Sequence, residues 1–100
     1  TILSRVTIEA DVTISSGCLI NVNSVICHDS KIGSYCVIAP SVTICGNCKI
    51  GNNCFIGAGA TILPNITIGD NVTVGAGALV NNDIPANLIV IGVPAKTIKQ

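Results

Sequence analysis

The sequence predicts an all-β fold, a triangular solenoid of six-residue repeats, and three observations predict it. Ile stands at positions 2, 8, 14, 20, 26, 32, 38, 44, 50, 56, 62 and 68, and Val continues the series at 74 and 80. Four residues after each comes a second restricted set: Val6, Val12, Cys18, Ser24, Ser30, Cys36, Val42, Cys48, Cys54, Ala60, Ile66, Val72, Ala78 and Ile84. All of these are small or aliphatic. The residue just after the Ile is often Gly, at 33, 51, 57, 69 and 75. A helical period of about 3.6 cannot generate such a series, and a single amphipathic strand would not turn corners.

Each hexad therefore reads as one short strand and one turn. The restricted residue lies two before the next Ile, so the pair points to the same side of the strand. Gly after the Ile is expected to serve the dihedrals of a tight corner. Three hexads per coil give an 18-residue rung. Coils stack at about 4.8 Å, so the fourteen hexads build a prism roughly 20–25 Å tall. Positions 18 apart then form columns. Ile2, Ile20, Ile38, Ile56 and Val74 share one, and Ile14, Ile32, Ile50 and Ile68 another. Cys18, Cys36 and Cys54 form an inward column, and Cys27 and Cys45 stack near a corner.

The repeat is expected to occupy residues 1–85, with the period stopping after Pro85. Leu88-Ile89-Val90-Ile91 reads as a final strand and Gly92-Val93-Pro94-Ala95-Lys96 as a turn. Residues 86–100 would then cap a sheet edge that the solenoid otherwise exposes. The first coil begins at residue 2 with no cap, and the chain lacks Met, which points to a fragment of a longer protein.

Composition narrows the function. Five basic and five acidic residues give no net charge, which argues against nucleic-acid or anionic-membrane partners, both of which need a basic face. No apolar run approaches the roughly 20 residues of a membrane helix. Only Tyr35 and Phe55 are aromatic, in keeping with a narrow core of stacked, branched side chains.

The hexads resemble the hexapeptide-repeat acyltransferase superfamily, and that resemblance implies a left-handed parallel β-helix. A narrower likeness lies in Ile26-Cys27-His28-Asp29-Ser30-Lys31-Ile32-Gly33, Ile38-Ala39-Pro40, Gly46-Asn47-Cys48-Lys49-Ile50-Gly51 and Ile56-Gly57-Ala58-Gly59-Ala60, with Gly92-Val93-Pro94-Ala95-Lys96 closing the chain. These stretches resemble the group of sialic-acid O-acetyltransferases and bacillosamine-type amino-sugar N-acetyltransferases. The resemblance implies acetyl transfer from acetyl-CoA to an amine or hydroxyl of a sugar or nucleotide-sugar, in a homotrimer. It also implies an N-terminal nucleotide-sugar-binding domain, absent from this chain. Many members carry a second His nine residues after the first; here that position is Val37.

His28 is the sole histidine and follows Ile26 by two, at an outward corner. Its functional reading is general base, since a neutral imidazole accepts a proton near pH 7; the alternative is an idle surface residue. Gly46 stacks on it and Ala10 lies on its other side, leaving space for substrate and a backbone N–H for a thioester oxyanion. Asp29 either orients the imidazole or simply forms the turn. Ala58 and Ala76, preceded by Gly57 and Gly75, either line the groove in which the family holds the pantetheine arm or are small because corners are small. Lys31 and Lys49, and Lys96 and Lys99 near the exit, are candidates for the phosphates or for plain solvation.

The inward cysteines read as small apolar core filler, with disulfide, thiol-nucleophile and Cys/His metal roles as the alternatives. No metal is expected. A zinc lyase on this fold would need several His, and a non-catalytic structural or binding solenoid is the competing function. Thr1-Ile2-Leu3-Ser4-Arg5 does not read as a signal peptide; the expected location is the cytoplasm, which argues for free thiols.

Overall fold

The structure, a computed structural model, describes residues 1–99; the Lys99 side chain and Gln100 lie outside the described residues. Within it the hexads form two-residue strands stacked as three parallel sheets, the three faces of a prism. The first face holds Thr7–Ile8, Val25–Ile26, Thr43–Ile44, Thr61–Ile62 and Leu79–Val80. The second holds Thr13–Ile14, Lys31–Ile32, Lys49–Ile50 and Thr67–Ile68. The third holds Leu19–Ile20, Val37–Ile38, Phe55–Ile56 and Thr73–Val74, then Ile89–Ile91 and Lys96–Lys99.

Register follows the 18-residue rung. Ile20 pairs Ile38, Ile38 pairs Ile56 and Ile56 pairs Val74. The columns Ile14–Ile32–Ile50–Ile68 and Ile8–Ile26–Ile44–Ile62–Val80 pair the same way. Ile20, Ile26, Ile38, Ile44, Ile56 and Ile62 are fully buried. A β-branched side chain with one preferred rotamer packs well on its own copy one rung away, which is why a single residue type can fill the interior.

Three details depart from the sequence reading. The first concerns the glycines after each Ile. None of Gly33, Gly51, Gly57, Gly69 or Gly75 has positive φ; the left-handed residue is two positions later, as at Asp11, Asp29, Tyr35, Asn47 and Asn65. Asp and Asn tolerate that conformation. Gly stands after the Ile because the neighbouring coil comes too close: a Cβ at Gly33 would lie 2.7 Å from the Gly51 carbonyl, and one at Gly57 2.6 Å from the Ala76 nitrogen.

The second is a slip. Ile84 bridges Ile68, not Ile66, and Ile89 pairs Thr73, so the last rung is two residues short. Asn81-Asn82-Asp83 turns this corner tightly, and the Asp83 carboxylate accepts the Thr67 N–H at 2.8 Å, a bond that a main-chain carbonyl accepts in the coils below (Lys49 N–H to Ile66 O, 2.9 Å). The third concerns the closing segment. Lys96 opens a strand that runs antiparallel to Ile89–Ile91 and is not part of the turn. With that strand the stack reaches 31 Å along its longest axis, more than the repeats alone predict.

The inward cysteines are donors as well as filler. Cys18, Cys36 and Cys54 Sγ donate to the carbonyls of Gly33, Gly51 and Gly69 at 3.0, 3.0 and 3.1 Å. Cys48 does so to Leu63 at 3.1 Å, and Ser24 and Ser30 to Ala39 and Cys45 at 2.9 and 3.0 Å. Each donor serves a carbonyl fifteen residues ahead, one that the backbone ladder leaves open. Buried polar groups must be paired, so Cys and Ser suit a column that also demands small volume. All six cysteines are free.

Candidate active site

The corner between the first and second faces carries the candidate chemistry. Val25–Ile26 ends the strand, Cys27 leaves it half-buried, and His28 takes the tip. Asp29 follows with φ 61°, a conformation that swings its short side chain back beside the imidazole. Nδ1 of His28 stands 3.1 Å from Oδ2 of Asp29, with the two side chains 63% and 57% exposed. The carboxylate is an acceptor, so the proton of the neutral ring sits on Nδ1 and Nε2 keeps its lone pair.

Nε2 faces the next coil. A Cβ placed on Gly46 would lie 2.7 Å from both Cε1 and Nε2 of His28. The ring therefore lies against Gly46, and a larger residue there would have to push it aside. The Asn47 N–H donates to the His28 carbonyl at 2.8 Å, locking the two coils at this point. Among the described residues the Gly46 N–H has no acceptor in the chain. A basic nitrogen thus lies beside a residue whose backbone donor is free.

One contact escaped the sequence reading. The Glu9 carboxylate, from the coil below, accepts the His28 N–H at 2.9 Å. Glu9 sits 18 residues before Cys27, so the rung spacing was the signal that could have found it. Burial, and then the Glu9 charge, push the Cys27 thiol above its ordinary range. That keeps the thiol protonated and speaks against a nucleophilic Cys27, since the thiolate is the reactive form. No three His, Cys, Asp or Glu side chains come together to hold a metal ion among the described residues.

The remaining candidates are elsewhere on the chain. Ala58 and Ala76 stack at the corner after the third face, linked by the Gly77 N–H to Ala58 carbonyl bond at 2.8 Å. They belong to a different edge of the prism from His28. Val37 lies on the third face, again away from His28. Lys31 and Lys49 pair on the second face, both exposed, beside the His28 corner. Exposed Lys96 borders a cleft of about 230 Å³ with Asn82, Asp83 and Ile84 at the C-terminal end of the stack; Lys99, the other candidate near the exit, has its side chain outside the described residues.

The family model for the bacterial transferase hexapeptide (six repeats) matches residues 11–46 and 47–82. The chain belongs to this family. Among solved structures this hexapeptide protein is similar to the acetyltransferase domain of PglB from Neisseria gonorrhoeae, at 32% identity and TM-score 0.96 over 97% of this chain and 47% of that one. A second structure of that domain is a complex with acetyl coenzyme A, with TM-score 0.95. It is similar to PerB from Caulobacter crescentus in complex with CoA and GDP-perosamine, at 32% identity and TM-score 0.70 over 97% of this chain and 53% of that one. Galactoside acetyltransferase in complex with coenzyme A matches at 31% identity and TM-score 0.87 over 93% and 58%. The hexapeptide chain thus spans about half the length of the first of these structures. No curated protein matches it. No helix among the described residues is long and apolar enough to cross a membrane.

Proposed function

We propose that this protein transfers an acetyl group from acetyl-CoA to an amine or hydroxyl of a sugar or nucleotide-linked sugar, with His28 as general base. The observation that carries the reading is the juxtaposition of His28 Nε2 with Gly46 and its unpartnered N–H. Acetyl-CoA brings the activated acyl group as a thioester. Nε2 takes the proton of the attacking amine or hydroxyl, and the ring later returns it to the departing thiolate. Asp29 holds the ring in the tautomer this requires and stabilises the imidazolium. The Gly46 N–H is available to the developing oxyanion. Similarity to proteins whose structures hold acetyl coenzyme A, CoA or GDP-perosamine supports the substrate class.

Ala58 and Ala76 are proposed to line the cofactor groove of a neighbouring copy, because their prism edge is not the His28 edge. That requires an oligomer, and a homotrimer joins each His28 corner to a partner's groove. The outward row Leu19, Val37, Phe55 and Thr73 carries no charge, and Phe55 is 45% exposed, a surface suited to burial. Light scattering at micromolar concentration should return three times the chain mass; a monomer mass would rule the shared site out. Six free thiols support a reducing compartment, the cytoplasm.

The test of the chemistry is a thiol-release assay with acetyl-CoA and a panel of amino- and hydroxyl-sugar acceptors. His28→Ala should lose about 10²–10⁴-fold in kcat at unchanged acetyl-CoA affinity, Asp29→Asn should lose less, and Cys27→Ser should be nearly silent. A dead Cys27→Ser beside an active His28→Ala would replace direct transfer with an acyl-thiol route.

A further inference from the structure

The tips of the corners differ in how their backbone N–H is held. At the corner after the second face the Ser34 N–H donates to Asn52 Oδ1 at 2.8 Å and the Asn52 N–H to Asp70 Oδ1 at 2.7 Å, each acceptor coming from the coil above. At the His28 corner the coil above offers Gly46, which has no side chain. The acceptor comes instead from below, from Glu9 at 2.9 Å. Ala10, the residue actually stacked under His28, has no acceptor side chain either, so the carboxylate reaches from the adjacent position.

The geometry points to Glu9 as a positioning residue for His28: its carboxylate pins the His28 main chain from below and so fixes where the imidazole lies against Gly46. This rests on the reading of His28 as base. Three contacts made by His28 itself, beside the Asp29 N–H to Ala10 carbonyl bond at 3.1 Å, then define the corner. The His28 N–H is tied to Glu9, its carbonyl to the Asn47 N–H, and its Nδ1 to Asp29. Only the last acts on the side chain; the first two hold the peptide planes on either side of its Cα. An exposed ring cannot be aimed by packing, so its direction depends on a rigid backbone and one orienting carboxylate. A displacement of about 1 Å at a reacting group can cost as much as 10²-fold in rate.

The experiment pairs kinetics with amide hydrogen exchange at His28 in 15N-labelled protein. Glu9→Ala should speed exchange of the His28 amide and lower kcat about tenfold, with the acetyl-CoA KM and the far-UV circular dichroism unchanged. Glu9→Gln keeps an acceptor oxygen at the same reach and should restore both kcat and protection. Unchanged exchange and kcat in Glu9→Ala would overturn the proposal, and so would a Glu9→Gln as impaired as Glu9→Ala, which would assign the effect to charge. Faster exchange in Glu9→Ala together with a fully active His28→Ala would uphold the anchoring contact, sink the base reading, and remove the catalytic consequence claimed for Glu9.

Discussion

The interior column Ile26, Ile44, Ile62, Val80 repeats one shape through four coils, whereas the corner beside it reads Ala10, His28, Gly46, Pro64, Asn82. The two columns lie two residues apart along the chain. Inside, each side chain meets a copy of itself and must keep the same branching and volume to close-pack. At the corner each side chain meets solvent and one neighbour, so the repeat imposes nothing beyond a tolerable backbone. The chemistry collects where the repeat relaxes, and it needs both the lone imidazole and the missing side chain above it.

Substitutions test this division. The largest effect is expected at Ile44, which is fully buried between Ile26 and Ile62. Ile44→Asp places a carboxylate in a column with no partner and should cost more than about 4 kcal/mol. Circular dichroism should show loss of the β signal; a folded Ile44→Asp protein would mean the interior is far more forgiving than its uniformity implies.

Gly46→Ala comes next. Its Cβ would meet Cε1 and Nε2 of His28 at 2.7 Å, but the backbone there is not in the left-handed region. The fold should survive while thiol release drops about 10–10²-fold as the ring is pushed aside. Wild-type turnover by this variant would show that the corner does not depend on the empty space.

The smallest effect concerns Cys48. Burial raises its pKa above the ordinary 9.0, and its Sγ donates to the Leu63 carbonyl. The folded chain keeps the thiol protonated while the unfolded chain releases the proton above about pH 9. The unfolded state then binds fewer protons, so stability falls as pH rises through that range, by at most about 1.4 kcal/mol per pH unit. Cys48→Ser retains a donor that does not ionise. Its Tm should decline less than that of the parent between about pH 8 and pH 10. Parallel Tm curves would show that the thiol proton makes no difference.

Much of this was legible in the sequence because a solenoid converts spacing into contact. The stacking of Lys31 on Lys49, of Cys27 on Cys45 and of His28 on Gly46 follows from 18 residues of separation. The role of the glycines after Ile was misread, because a period reveals which residue is small but not whether space or dihedral demands it. Cys18, Cys36, Cys48 and Cys54 are the core filler that their inward positions predict, but their role as donors is not legible in the sequence. Their partners lie fifteen residues ahead, off the stacking column, at carbonyls whose vacancy shows only when the ladder is traced.

The sequence by itself determined the coil, its register and its columns, since a six-residue period with β-branched interiors closes economically at three hexads per coil and makes each residue's vertical neighbours a matter of counting. Only the tertiary structure decided the relations that run across or against that axis. The last rung is two residues short, and Asp83 stands in for the main-chain acceptor that the coils below supply. Glu9 reaches sideways to the His28 N–H rather than straight up its column. Counting places Glu9 one rung below Cys27, but the direction of its side chain and the length of the last turn are not set by the period.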